Sequence, residues 1–419
     1  MFEKIKIAEG VNLYIRPTTQ FKTISFSFKF RTALTKQSAS QRTVLSNVLQ
    51  HSNAVYKTNA AYRSALDDLY GAVLYFDTGK KGTQHAFYMN AEVVNEQYLA
   101  EDQVLDKMMT MMQTALLQPN LQDGVFLDNI VAREKQIVTE RIAAVFDDKT
   151  RYAQHRLMQI LRPQGAASIS ANGTVQDVAT ITATSLYETY QKMLSKDTID
   201  IYIVGDVDVR EMAARIQSHF AFTDRMPYTQ TIEQVAPQPF DYVREQQVMK
   251  QGKLHMGFST PVAFGDDRFP VMQVLNGVFG GYAHSKLFMN VREKESLAYY
   301  ASSSYLSHYS LLFVTSGIEP ENEDKAYQLI QQQLQAICDG QITARELQQT
   351  KAQLKNQLRE ALDVARGQIE VYDQYKSLKE PFTVENWSAK WEAVTAQEIS
   401  ELAAQIKLQA VYFLSGKGE

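Results

Sequence analysis

In the stretch TVLSNVLQHSNA, Thr43 to Ala54, the residues Asn47, Gln50 and His51 stand at i, i+3 and i+4, so a helix would put them on one face. Val44, Leu45, Val48 and Leu49 form a second, apolar stripe. A helix reading H-x-x-E-H places two imidazoles one turn apart, where both reach one zinc ion. Its glutamate then takes a proton from the metal-bound water. Here that frame reads Asn47-x-x-Gln50-His51. Asn is a poor zinc ligand, because its neutral carbonyl competes badly with imidazole or carboxylate. Gln50 can orient a water but cannot accept its proton. A lone histidine in such a place is usually structural. The other histidines do not rebuild the motif: the nearest pair, His284 and His308, is 24 residues apart.

The elements around this helix repeat along the chain. In the first half, ISFSFKF (Ile24–Phe30) reads as a strand and Gln41–His51 as a helix. GAVLYFDTGKKG and QHAFYMNAEV read as a hairpin. Helices follow over about Glu101–Leu117 and from Asp128 through Ile142, and IDIYIVGDVD closes the half as a buried strand. The second half repeats the order. KLHMGFST is a strand, FPVMQVLNGVF a helix, and SLAYYASSSY with YSLLFVTSGI a strand pair. Two helices follow, over Glu323–Asp339 and from Thr343, before the closing strand AVYFLSGKG. The expectation is an α+β protein of two duplicated domains, each an antiparallel-rich sheet packed with helices. The boundaries read as 1–221 and 249–419. The proline-bearing stretch 222–248 reads as a linker.

Composition narrows the function classes. The chain has 419 residues, beyond the size of one ordinary core. Its net charge is -4 and it has no long basic run, which argues against a nucleic-acid surface. No run of about 18 apolar residues predicts a membrane span, and the first residues lack the apolar core of a signal peptide. One cysteine, Cys338, excludes an internal disulfide and fits a reducing compartment. The expected setting is cytoplasmic.

The block FGGYAHSKLFMNVREKESLAYYASSS, Phe279 to Ser304, resembles a stretch in the C-terminal domain of insulinase/pitrilysin-type metallopeptidases. The pattern is a Gly-rich turn, then S-x-L-F, V-R-E-K and L-A-Y. Ser285, Leu287, Phe288, Val291, Arg292, Glu293, Lys294, Leu297, Ala298 and Tyr299 fit it. In that family an H-x-x-E-H helix holds zinc, and a later E-K-x-x-V-x-x-E-I segment supplies the third ligand. Here that segment reads Glu134-Lys135-Gln136-Ile137-Val138-Thr139-Glu140-Arg141-Ile142, with Arg141 at the ligand position. The resemblance therefore implies a degenerate zinc site of Asn47, Gln50, His51 and Arg141, with no metal in this chain. Ile137, Arg141 and Val145 share a helix face, expected to point inward. Arg141 either fills the space of the metal and bonds Gln50 and Asn47, or snorkels past an apolar edge.

The family also presents an Arg and a Tyr to substrate from its C-terminal domain, and their matches are Arg292 and Tyr299. Both can hydrogen-bond a developing oxyanion. The plainer reading puts Arg292 in an ion-pair patch with Glu293 and Glu295, and Tyr299 in the core. Some bacterial members work as two-chain assemblies, one chain bringing zinc and the other the Arg/Tyr pair. The resemblance is to the inactive member of such a Gram-positive pair, associated with 5-aminopentanol modification of elongation factor P. It implies a partner with intact H-x-x-E-H and bound zinc, and a peptide or protein substrate. Gly79–Val93 is the candidate sheet edge for an extended peptide, and Lys80 and Lys81 read as solvating its turn. Two alternatives stand: a non-proteolytic accessory or scaffold protein, and a zinc peptidase with an unrecognised site.

Overall fold

The computed structural model describes residues 2–232 and 239–416. Its strands are β1 (Glu3–Ala8), β2 (Val11–Pro17), β3 (Thr23–Ala33), β4 (Val73–Lys81), β5 (Gln84–Val94), the two-residue pair β6 (Leu121–Gln122) and β7 (Val125–Phe126), β8 (Thr198–Gly205), β9 (Asp241–Gln247), β10 (Gly252–Ser259), β11 (Ala298–Leu306), β12 (Leu311–Ile318) and β13 (Lys407–Gly416). The helices are α1 (Lys36–His51), α2 (Asn59–Asp67), α3 (Val104–Leu117), α4 (Asp128–Asp147), α5 (Lys149–Leu161), α6 (Val175–Ala179), α7 (Ala183–Lys196), α8 (Val209–His219), α9 (Phe269–Asn276), α10 (Glu323–Cys338), α11 (Ala344–Leu362), α12 (Ala365–Tyr375), α13 (Val384–Ala393) and α14 (Ala396–Ala403). The architecture is α+β.

Two sheets organise the chain. The first runs β1-β2-β8-β3-β5-β4 and the second β11-β12-β10-β13-β9. In each, the closing strand makes the one parallel pair, with an early strand of its repeat (β2 with β8, β9 with β13), and the remaining pairs are antiparallel. Reading the second sheet backwards gives β9-β13-β10-β12-β11, the order β2-β8-β3-β5-β4 of the first. β9 is therefore the counterpart of β2. The last third of the stretch read as a linker is the opening strand of the second repeat. Its polar sequence DYVREQQ hid it, because an edge strand needs no strong apolar alternation. Within the same stretch, residues 233–238 lie outside the described residues. The earlier part is anchored: Arg225 donates to the Leu194 carbonyl at 2.8 Å and the Tyr228 amide to Thr198 Oγ1 at 2.5 Å.

The chain divides into two compact units: residues 1–144, 169–231 and 362–374, and residues 145–168, 232–361 and 375–419. In the first, period-two alternation sends Phe26, Phe28 and Phe30 of β3 into a core shared with Ile199, Ile201 and Ile203 of β8 and Val44, Leu45, Val48 and Leu49 of α1. The opposite face of β3 is polar yet covered, because α12 lies there. Ala365 and Ile369 pack with Tyr14, Tyr202 and Val204. Lys29, 1% exposed, reaches Glu370 at 2.9 Å and Asp373 at 3.2 Å, and Arg31 pairs with Asp200 and Asp373. In the second unit α5 takes the equivalent place. Ala153, Leu157 and Leu161 pack on Leu311 and Phe313 of β12 and Ala410 and Tyr412 of β13. Gly257 admits this helix: a Cβ there would meet Leu161 Cδ1 at 2.4 Å.

The edge expectation is corrected in part. β4 is the edge of the first sheet, but β5 lies between β3 and β4. Lys80 and Lys81 do not simply solvate a turn. Lys80 Nζ donates to the Ile169 carbonyl at 2.7 Å, and burial pulls the Lys81 ammonium pKa down to about 8. Among the described residues no helix is long and apolar enough to cross a membrane.

Candidate functional site: a dismantled metal centre and an exposed Arg/Tyr motif

α1 starts earlier than apolar spacing suggests because Thr35 and Ser38 form a reciprocal N-cap. The apolar stripe seats the helix on the sheet, and this orients Asn47, Gln50 and His51. The three do not converge on a common point. His51 Nδ1 lies 2.9 Å from the Asn47 carbonyl and 3.4 Å from Glu134 Oε1. Both are acceptors, so Nδ1 carries a proton. Gln50 turns to β4, where its Oε1 accepts from the Phe76 amide at 2.6 Å and its Nε2 faces the Leu74 carbonyl at 3.5 Å.

Arg141 donates from Nη2 to Asn47 Oδ1 at 3.3 Å. It makes one of the two bonds expected of it, since Gln50 is engaged elsewhere. Its face does not point inward. Ile137 and Arg141 are exposed, and the buried positions of α4 are Val131, Glu134, Val138 and Ile142.

Glu134 belongs to the site too: it opens the E-K-x-x-V segment without standing at a zinc-ligand position. It is fully buried. Arg133 grips its Oε1 through Nη2 at 2.7 Å and Nε at 2.8 Å. Burial pushes its carboxyl pKa up, but the hydrogen bonds from His51 and Arg133 outweigh this and hold it below the ordinary carboxylate range. Its Oε2 has no hydrogen-bond partner among the described atoms.

Zinc does not fit these residues. One imidazole and one buried carboxylate are already bonded to each other, and a guanidinium sits on the Asn47 oxygen. Among the described residues, no group of three or more His, Cys, Asp or Glu side chains could hold a metal.

The second motif lies in the second unit. A π-helical segment, Leu287–Lys294, carries Arg292, and β11 carries Tyr299. A second π-helical turn, Gly277–Gly281, precedes it, and Gly280 lets it approach β11: a Cβ there would meet the Ser303 amide nitrogen at 2.6 Å. The Leu297 amide bonds the Val291 carbonyl at 3.1 Å, tying the segment to the strand. Tyr299 sits where the β11–β12 register slips between Ala298 and Tyr300, at the start of an edge strand.

Tyr299 is 60% exposed, so it is not a core residue. Its hydroxyl donates to Glu319, which raises the phenol pKa and keeps it in the donor form. The Arg292 side chain is 41% exposed. It stacks its guanidinium over Phe288 at 4.6 Å and lies 3.6 Å from Glu293. Glu295 pairs instead with Lys325. Both motif side chains are thus solvent-facing donors, one on a π-helical segment and one on an edge strand.

Comparison with known proteins gives the family. A family model described as "Peptidase M16 inactive domain" matches residues 180–354. A Bacillus subtilis (strain 168) protein named "Probable inactive metalloprotease YmfF" is 38% identical over 412 residues, covering 97% of this chain and 96% of its own. The crystal structure of a conserved protein from Enterococcus faecalis V583 superposes with a TM-score of 0.91 at 36% identity, over 100% of this chain and 99% of that one. A peptidase M16 inactive domain from Pseudomonas fluorescens superposes with a TM-score of 0.80 over 100% of this chain and 98% of that one. At 15% identity, that likeness is one of fold alone. With its metal helix dismantled and a close relative of the inactive kind, the chain belongs to the insulinase/pitrilysin-type (M16) peptidase family and stands among its inactive members.

Proposed function

We propose that the chain is the non-catalytic subunit of a two-chain zinc peptidase. It would bind peptide and supply Arg292 and Tyr299 to the active site of a partner that keeps an intact H-x-x-E-H helix and its zinc. The supporting observation is one-sided damage. Arg141 bonds Asn47 at two of the metal positions, while Arg292 is half-exposed and Tyr299 exposed, its phenol held in the donor form by Glu319. A guanidinium and a phenol in that state stabilise charge developing on a scissile carbonyl oxygen. The proposed setting is the cytoplasm, where Cys338 remains a thiol.

The test mixes the chain with the H-x-x-E-H subunit of the same cell and follows cleavage of an internally quenched peptide. Arg292→Ala is expected to lower kcat about 100-fold, the loss usual for one oxyanion donor. Hydrolysis that ignores the substitution would replace this reading with a non-proteolytic accessory role, elongation factor P modification included.

A further inference from the structure

An edge strand presents alternate backbone N–H and C=O groups outward, and these can template an added strand. β4 is such a strand. Its outward groups around Tyr75 are already engaged: the Phe76 amide bonds Gln50 Oε1 at 2.6 Å and the Leu74 carbonyl faces Gln50 Nε2 at 3.5 Å. One residue of a strand added in parallel would offer the same pair, an N–H to Leu74 and a C=O to Phe76. Farther along, the Thr78 amide is taken by Asp77 Oδ1 at 2.8 Å, and Lys80 reaches over to the Ile169 carbonyl at 2.7 Å. The outer row is therefore engaged by side chains at the Leu74 carbonyl and at the Phe76 and Thr78 amides.

We infer that Gln50 closes the edge of the first sheet to strand addition, its carboxamide standing in for one residue of an extended peptide. The amide is the chemistry this needs. A carboxylate at position 50 could still accept from Phe76 but could not donate to Leu74, and its charge would face that carbonyl oxygen. The residue type that ends proton abstraction at this position thus also gains a second role. An extended peptide meeting this chain is turned away from β4. The inference does not use Arg292 or Tyr299, and it stands or falls separately from the proposed role.

The test compares wild type with Gln50→Ala and with the near-isosteric Gln50→Glu, which keeps the fold if alanine does not. Hydrogen exchange at the Phe76 amide is read first. Gln50→Ala loses the hydrogen bond to that amide and is expected to speed exchange about tenfold, whereas Gln50→Glu keeps an acceptor for Phe76 and loses only the donation to Leu74. Binding of a fluorescein-labelled Lys-Thr-Val-Thr-Val-Thr-Lys peptide is then read by anisotropy. Affinity should rise about tenfold in the variants, and added peptide should restore protection at Phe76. Unchanged Phe76 exchange in Gln50→Ala would overturn the cap. Faster exchange with no gain in peptide affinity would overturn the exclusion.

Discussion

Arg141 donates to the carboxamide oxygen of Asn47 across 3.3 Å, so a fixed organic cation bridges α4 and α1 at two positions where the family resemblance puts metal ligands. The residues therefore oppose zinc by charge as well as by ligand count. Arg141→Ala alone is expected to leave the protein metal-free, because the donor set stays deficient. Asn47→His, Gln50→Glu and Arg141→Glu together should retain about one zinc per chain after dialysis, as four-ligand zinc chemistry requires. Elemental analysis of untagged protein reads both outcomes.

Glu134 should contribute stability with a definite pH signature. Its folded pKa lies below the ordinary value, so its contribution is complete above about pH 4.3 and fades as pH falls through the folded value. Glu134→Gln should cost about 2 kcal/mol at pH 7, the scale of hydrogen bonds to a charged group. The gap between wild type and variant should shrink below about pH 4. Denaturation midpoints measured across pH check this.

His255 predicts a loss of stability in the same direction, on acidification, but over a higher pH window. It is fully buried in β10 without a hydrogen-bond partner among the described atoms, and burial, with Lys253, lowers its pKa to about 3. The unfolded chain binds a proton near pH 6.5 and the folded one does not, so stability falls by about 1.4 kcal/mol for each pH unit of acidification between about pH 6.5 and 3. His255→Leu should remove that slope from the acid unfolding of the second unit.

Lys29 is held by Glu370 and Asp373 on the covered face of the first sheet. Lys29→Ala leaves Glu370 and Asp373 without that cation and should cost about 3 kcal/mol, the lower range for breaking a buried pair. A denaturation midpoint unchanged from wild type would show that the network carries no net stabilisation.

Much of this was legible in the residues. Phe26, Phe28 and Phe30 announce β3 by alternation, and the Asn47–His51 spacing announces α1, because both periodicities are local. What escaped was set by distant partners. β9 is too polar to read as a strand and is identified by β13 beside it. The hairpin 73–94 is plain in sequence, yet only the sheet order shows β5 to be interior. Ile137 suggested an inward face for Arg141, but Val138 and Ile142 set the buried stripe one residue over. Lys29 and Arg31 alternate with the phenylalanines of β3, and local spacing carries no sign that their face is covered by a helix about 340 positions later.

That late helix has a consequence for synthesis. The first unit is complete only when residues 362–374 are added, although its last strand, β8, ends at Gly205. At ribosomal speeds of about 5–20 residues per second, the nascent chain carries an open aromatic and charged sheet face for roughly 10–30 s. Tyr14, Tyr202 and Lys29 lie on that face. An expression fragment cut after the first repeat would keep it bare indefinitely, and is expected to need a chaperone or to aggregate.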